Sequence, residues 1–286
     1  MQLRDRKVLL TGASGGIGKA LAVALQQQGA RLVLAGRNLE SLQRLARHLL
    51  LAQEKAHEQS HMQKSPARVA LAQLDLGSDQ MWQQAQAIAQ KHPDIDVLVN
   101  CAGRNLFAGV AETDPVQTAA MLDVNLKGTI LLTQALLPTL LQRPRAMIVN
   151  VGSTFGSIGY PGFAVYCASK FGLRGFTEAL QRELAQTQVK VVYVAPRATA
   201  TDMNEAAVVA MNHELGNKMD TPTLVAACVV RAIERERPRL FIGWPEKLFV
   251  FMNGLFTSVV DKALRKQLPV IQRFLSHESK SQEVKS

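Results

Sequence analysis

The chain has 286 residues, 47% of them hydrophobic, and its 33 Lys/Arg against 23 Asp/Glu give a formal net charge of +10. That is ample for a large buried core, which excludes a disordered chain and a disulfide-stapled miniature domain. Three cysteines without close spacing, Cys101, Cys167 and Cys228, exclude a disulfide framework and predict a reducing, cytoplasmic compartment.

In chain order, KVLLTGA reads as a buried strand running into a glycine turn, and IGKALAVALQQQG as the helix after it. ARLVLAGR is a second strand ending at Arg37, followed by a helix over 39–51, and 52–66 read as a helix extension plus an exposed loop. RVALAQLDL is a third strand, DQMWQQAQAIAQKH a helix, and IDVLVNCAG a fourth strand. One long helix is predicted over Pro115 to Leu141, a fifth strand in RAMIVNVGS, a helix over Phe163 to Ala185, a sixth strand in VKVVYVAP and a seventh in PRLFIG. Apolar strands alternating with helices predict an α/β fold, a doubly wound parallel sheet covered on both faces. The expected organisation is a single domain over 1–243 and a C-terminal amphipathic helical extension over 244–286 that ends in a disordered tail. The N-terminus lacks the apolar stretch and cleavage site of a signal peptide, and no run is expected to reach the ~20 apolar residues of a membrane span.

From Arg231 to Ser286 there are eleven Lys/Arg and six Asp/Glu, a difference of +5, so about half of the excess charge lies in the last fifth of the chain. A basic balance suits nucleic acid, an anionic membrane or a phosphorylated ligand. Zinc-finger spacing, RNP-type sequence and basic heptads are all lacking, so nucleic acid is not expected.

TGASGGIG, residues 11–18, sits between the first strand and the first helix. Gly12 permits the tight turn, while Gly16 and Gly18 let backbone approach a pyrophosphate at the helix N-terminus. A P-loop fails on spacing: Ala13 stands where its first glycine belongs, and Ala20 where a Ser/Thr must follow Lys19. At the end of the second strand a carboxylate would hold a ribose 2′-hydroxyl. Arg37 stands there instead and suits a 2′-phosphate, so NADP(H) is favoured over NAD(H).

Tyr166 and Lys170 are four apart in YCASK, on one face of a helix, thirteen residues after Ser153. An ammonium beside a phenol predicts a tyrosine pKa below the usual value of about 10, near enough to neutrality for proton exchange with a carbonyl or alcohol oxygen. On its own the pair is weak evidence, because Tyr and Lys at that spacing are usually a solvated helix face.

The combined pattern resembles the classical short-chain dehydrogenase/reductase family. The matching segments are TGASGGIG, Asp75 in LDL, NCAG at 100–103, Asn125 in DVNLKG, Ser153, Tyr166-x-x-x-Lys170 and the Pro196 segment, covering about residues 5 to 205. The resemblance implies a Rossmann-type fold and a catalytic set of Asn125, Ser153, Tyr166 and Lys170. In that set Tyr166 is the general acid/base, Lys170 lowers its pKa and holds the nicotinamide ribose, Ser153 binds the substrate oxygen, and Asn125 holds a relay water. It also implies cofactor contacts at Gly12, Ser14, Gly16, Ile17, Gly18, Asp75, Leu76, Asn100, Ala102, Gly103, Pro196, Thr199 and Thr201, and a homodimer or homotetramer. Two positions depart from the family: Cys101 stands for a usual asparagine, and Arg197 for a usual glycine. Arg197 could meet a cofactor phosphate, a substrate acid or solvent. Cys167 should point about 100° away from Tyr166 and pack.

In the extension, Leu248, Met252, Leu255, Val259 and Ala263 form an apolar stripe widened by Phe249, Phe251 and Phe256, with Lys247, Lys262, Arg265, Lys266 and Arg273 supplying charge. Over 247–273 it could pack in the core or on another subunit, cover a substrate cleft, or lie at a membrane surface. Gly254 and Pro269 are expected to break it. His57 and His61, four apart, read as a solvated loop, and no metal is assigned. YCASKFGLRGFTEALQREL also resembles reductases of lipid ketones such as ketosphinganine reductases and hydroxysteroid dehydrogenases, implying a small-molecule, lipophilic substrate. The expected function is an NADP(H)-dependent oxidoreductase interconverting a ketone and a secondary alcohol. The alternatives are a non-catalytic nucleotide sensor and a membrane-surface interaction protein on the same fold.

Overall fold

The computed structural model describes residues 1–60 and 69–283, with side chains described over 1–54 and 69–276. The His57/His61 pair lies outside the described side chains. Seven strands form one sheet: β1 Lys7–Thr11, β2 Arg31–Gly36, β3 Val69–Gln73, β4 Val97–Asn100, β5 Ala146–Val151, β6 Val189–Ala195 and β7 Arg239–Phe241. Their order is β3-β2-β1-β4-β5-β6-β7, and every pairing is parallel.

Alternation along each strand sends side chains to two helical layers. Val8 and Leu10 of β1 face a cluster with Leu21, Leu25, Leu42, Val225, Val229 and Ile233. These come from α1 (Gly16–Gln27), α2 (Leu39–Ser60) and α8 (Pro222–Glu234). Leu9 faces the opposite cluster, with Met81, Ile88, Leu132, Leu136, Leu140 and Leu180. Those belong to α3 (Met81–Lys91), α5 (Gly128–Leu141) and α6 (Ala164–Glu183).

The long helix predicted over Pro115 to Leu141 is interrupted. It begins as α4 (Pro115–Leu122), capped by Asp114 accepting from Val116 N–H at 2.8 Å. It then widens into a π-helical turn at Asp123–Lys127, where Gly128 N–H reaches back to the Asp123 carbonyl. Gly128 is wedged against the Leu76 carbonyl, leaving no room for a Cβ. Taken through that turn, Pro115–Leu141 is long and apolar enough to cross a membrane, contrary to expectation. In this fold it is a core helix, with Leu132, Leu136 and Leu140 fully buried.

Two helices after β6 were not anticipated: α7 (Ala206–Glu214) and α8. The start of α8 carries a readable signal, because Thr221 caps it by accepting from Leu224 N–H at 3.2 Å and Pro222 occupies the first turn. The extension forms α9 (Glu246–Leu255) and α10 (Thr257–Glu283). It breaks at Phe256, whose backbone is non-helical, and α10 runs straight through Pro269. The helix α10 continues to Glu283, and 284–286 lie outside the described residues.

The extension is integral to the domain. Ile271 of α10 is fully buried in a third cluster with Phe107, Phe163, Cys167, Val208 and Met211, flanked by Phe274 and Leu275. An Ile271→Ala variant should lose about 3 kcal/mol, read as a lower midpoint in urea denaturation.

Candidate active site

Two loops meet at the C-terminal edge of the sheet, where the strand order reverses between β1 and β4. Gly12 has φ +65, and a Cβ there would fall 2.7 Å from Ala102 Cα, so the turn after β1 lies against the turn after β4. Gly18 sits on the Gly12 carbonyl with no space for a side chain, and a Cβ on Gly16 would fall 2.6 Å from Thr201 Cγ2. Thr11 stitches the two loops: its Oγ1 accepts from Cys101 N–H at 3.0 Å and Ala102 N–H at 3.2 Å. The N-terminus of α1 has no side-chain cap, so its first N–H groups face the crevice unclaimed by side chains.

Ser14 Oγ lies against Gly36 at the end of β2. Arg37 follows, exposed and without an ion pair among the described residues. Asp75 and Leu76 stand just beyond β3: Asp75 Oδ1 accepts from Gly77 N–H at 3.1 Å, and Leu76 is buried. Asn100 has a structural task. Its Nδ2 donates to Asn150 Oδ1 at 2.8 Å, joining β4 to β5, and Asn150 Nδ2 donates to Thr177 Oγ1 of α6 at 2.9 Å.

Ile17, Gly103, Ser153, Tyr166, Lys170, Pro196, Thr199 and Thr201 all line one cavity of about 440 Å³. Ser153 ends β5 and caps a 3-10 turn, Thr154–Gly156, accepting from Phe155 N–H at 3.1 Å. Its side chain also lies beside the Tyr166 hydroxyl, where it lowers the tyrosine pKa. Lys170 Nζ lies 5.7 Å from the centre of the Tyr166 ring and donates to the Val151 carbonyl at 3.3 Å. A Cβ on Gly103 would fall 3.4 Å from Asn125 Oδ1 and 3.6 Å from Lys170 Nζ, so that glycine floor touches both. Asn125 sits in the π-helical turn. Its Oδ1 accepts from Arg104 N–H at 2.7 Å, and its Nδ2 donates to the Arg104 carbonyl at 2.9 Å and to Ser169 Oγ at 3.0 Å. The extra residue of a π turn re-aims a side chain in this way at functional sites.

The electrostatics correct one expectation. Burial raises the Tyr166 hydroxyl well above its ordinary value, and Ser153 only partly opposes this. Lys170 stands over the ring face, and no pull from it on the hydroxyl is resolved. A phenolate in this cavity loses its hydration, which outweighs the effect of Ser153. Lys170 itself is lowered to about 8, again by burial, with Cys101 opposing. Burial pushes the Cys101 thiol up to about 12, so it stays protonated at neutral pH. Cys167 is buried in the third cluster, accepting from Tyr160 N–H at 3.4 Å, as packing requires.

Several contributors were invisible in the sequence. Tyr193 of β6 is buried under Ser153: its hydroxyl donates to the Ser153 carbonyl at 3.2 Å, and Gly152 and Gly156 leave the room it occupies. Arg197 meets neither solvent nor an open anion site. It bridges Asp220 at 2.7 Å and Glu246 at 3.2 Å, tying the loop after β6 to the start of α9. The far cavity wall is apolar: Phe155, Ile158 and Phe163 from the segment between Ser153 and Tyr166, Val208 and Met211 from α7, and Phe249, Val260 and Leu264 from the extension.

The pattern of the short chain dehydrogenase family matches residues 6–212. This chain belongs to that family. An uncharacterized oxidoreductase of Staphylococcus epidermidis is 35% identical over 204 residues, covering 71% of this chain and 82% of that protein. A metagenomic short-chain oxidoreductase in complex with NADP is 28% identical, with a TM-score of 0.66 over 85% of this chain and 98% of that one. A short chain dehydrogenase/reductase of Burkholderia phymatum in complex with NAD shares the fold, with a TM-score of 0.75 at 22% identity over 91% of this chain and 96% of that one. As a short-chain dehydrogenase the protein is an oxidoreductase that uses a nicotinamide dinucleotide. The glycine cradle, the uncapped α1 N-terminus and the cavity beside them fit such a cofactor.

Lys170 gives a pH test. Its folded pKa of about 8 lies below the ordinary 10.5, so between these values the unfolded chain binds more protons and stability rises with pH. From pH 8 to 10, urea denaturation of the wild type should gain about 1–2 kcal/mol relative to Lys170→Met.

Proposed function

We propose that this short-chain dehydrogenase interconverts a lipophilic ketone and its secondary alcohol with NADP(H), with Tyr166 as general acid/base. The observation that carries this reading is that Tyr166, Ser153 and Lys170 line one cavity together with Ile17 of the turn after β1 and Gly103 of the turn after β4. The bound nicotinamide supplies or accepts the hydride. Reduction of a carbonyl leaves negative charge on its oxygen, which needs hydrogen-bond donors and a proton. Tyr166 O–H gives its proton to that oxygen, and Ser153 steadies the oxygen by a hydrogen bond. Because burial favours the neutral phenol, Tyr166 rests in the form a reduction requires. The Lys170 ammonium, over the same ring, offsets the charge on the phenolate that remains. Asn125 holds the Arg104 backbone and Ser169 behind Lys170, keeping that floor in place.

Exposed Arg37, with Ser14 at the end of β2, supports a preference for the 2′-phosphate. The relative that binds NADP at 28% identity supports the same choice. Apolar walls contributed by the tail support a long or bulky hydrophobic substrate. The reading places the enzyme in the cytoplasm, as a homodimer or homotetramer through the helices beside the site. Exposed Phe171, on α6, supports that assembly.

Tyr166→Phe should lower kcat about a thousandfold while the dissociation constant for NADPH, measured by fluorescence titration, stays within a few-fold. Retained turnover would remove Tyr166 from the chemistry, whereas a non-catalytic sensor would show no turnover in the wild type either. Arg37→Ala should raise the KM for NADPH about tenfold or more and leave that for NADH unchanged. Across ketones from small to long-chain, kcat/KM should climb with chain length, and a flat series would overturn the lipophilic assignment.

A further inference from the structure

Helix α9 is built the wrong way round for a soluble surface. None of its residues is buried. It is fastened to the body by polar contacts: Glu246 to Arg197, and Asn253 Nδ2 donating to the Ser157 carbonyl at 2.9 Å. Leu248, Phe251 and Leu255, at steps of three and four, therefore share the face turned away from the body. Phe251 is 63% exposed, Leu255 60%, and Trp244 just before the helix 66%. Phe256 and Val259, also exposed, carry this apolar surface round the corner into α10. Single exposed apolar residues are ordinary, but a contiguous aromatic and aliphatic face is a docking surface.

Charge selects what docks. Lys247 stands on the same face, and Lys262, Arg265 and Lys266 are exposed on the adjoining turns of α10. None of the four has an ion pair among the described residues. Within 244–266, among the described residues, the one exposed carboxylate is Asp261, because Glu246 is turned inward to Arg197. A second copy meeting this face about a two-fold axis would bring like charges together. An anionic surface with an apolar interior complements both features.

We propose that the outward face of α9, with the cationic first turns of α10, docks on an anionic lipid bilayer. Trp244 and the aromatic side chains enter the headgroup boundary, and Lys247, Lys262, Arg265 and Lys266 meet lipid phosphates. The orientation brings the catalytic cavity to the membrane, because Trp244 and Phe249 also line it. A hydrophobic ketone then reaches Tyr166 from the bilayer past these two rings. That delivery role rests on the lipophilic substrate reading above, whereas the docking surface stands on α9 itself.

The test is co-sedimentation of the full chain with vesicles of phosphatidylcholine alone or with 30% phosphatidylglycerol, beside a Phe251→Ser/Leu255→Ser double variant and a Lys247→Glu/Lys262→Glu double variant. The wild type should sediment with the phosphatidylglycerol vesicles and be released by high salt. Both variants should bind at least tenfold more weakly, while their melting temperatures and their rates on a small water-soluble ketone match the wild type. Failure of the wild type to sediment at low salt would overturn the proposal, as would wild-type binding by the Phe251/Leu255 variant. So would a drop in the vesicle-free mass of that variant by sedimentation velocity, which would make the face an interface between copies. Sedimentation needs no turnover, so a failed substrate assignment and a failed docking surface give separate results.

Discussion

An ammonium group sits near the middle of this fold without a carboxylate to meet it. Lys170 is 5% exposed, its Nζ donates to one backbone carbonyl at 3.3 Å, and no ion pair relieves it among the described residues. Burial of an unpaired cation is unfavourable, which is why its pKa falls to about 8. The surrounding architecture is what tolerates it: Gly103 flat against it, Asn125 holding the backbone beside it, and Tyr166 presenting a ring face. The proposed acid/base role of Tyr166 gives this burial a use, because charge on the tyrosine oxygen would be offset by the cation over its ring.

Much of this was legible in the residues because much of it is local. The glycine turn between a strand and a helix, and the four-residue step from Tyr166 to Lys170, are spacing effects within one element or one turn. All seven strands could be read from continuous apolar runs, including the short β7, and the parallel sheet follows from their alternation with helices. The break expected at Gly254 falls two residues on, at Phe256, whereas α10 runs through Pro269 with Val260 and Ile271 buried on either side of it.

Features that depend on contacts across the sheet were hidden. Tyr193 looks like any strand residue until β5 and β6 pair and set its hydroxyl under Ser153. The π turn has ordinary helical composition, and the close approach of Gly128 to Leu76 that follows it shows only once the chain is packed. Arg197 replaced an expected glycine, and its meaning depended on Asp220 and Glu246, 23 and 49 residues further along. Lysine proximity suggested an acidic phenol. The geometry reverses that for the resting protein, because sequence spacing reports neighbours but not hydration.

The wall of the catalytic cavity includes Val260 and Leu264, and Ile271 anchors the same helix in the core. These residues leave the ribosome after the whole nucleotide-binding sheet. During synthesis the glycine turns and the sheet around them are therefore complete before the residues that close this cavity wall are added.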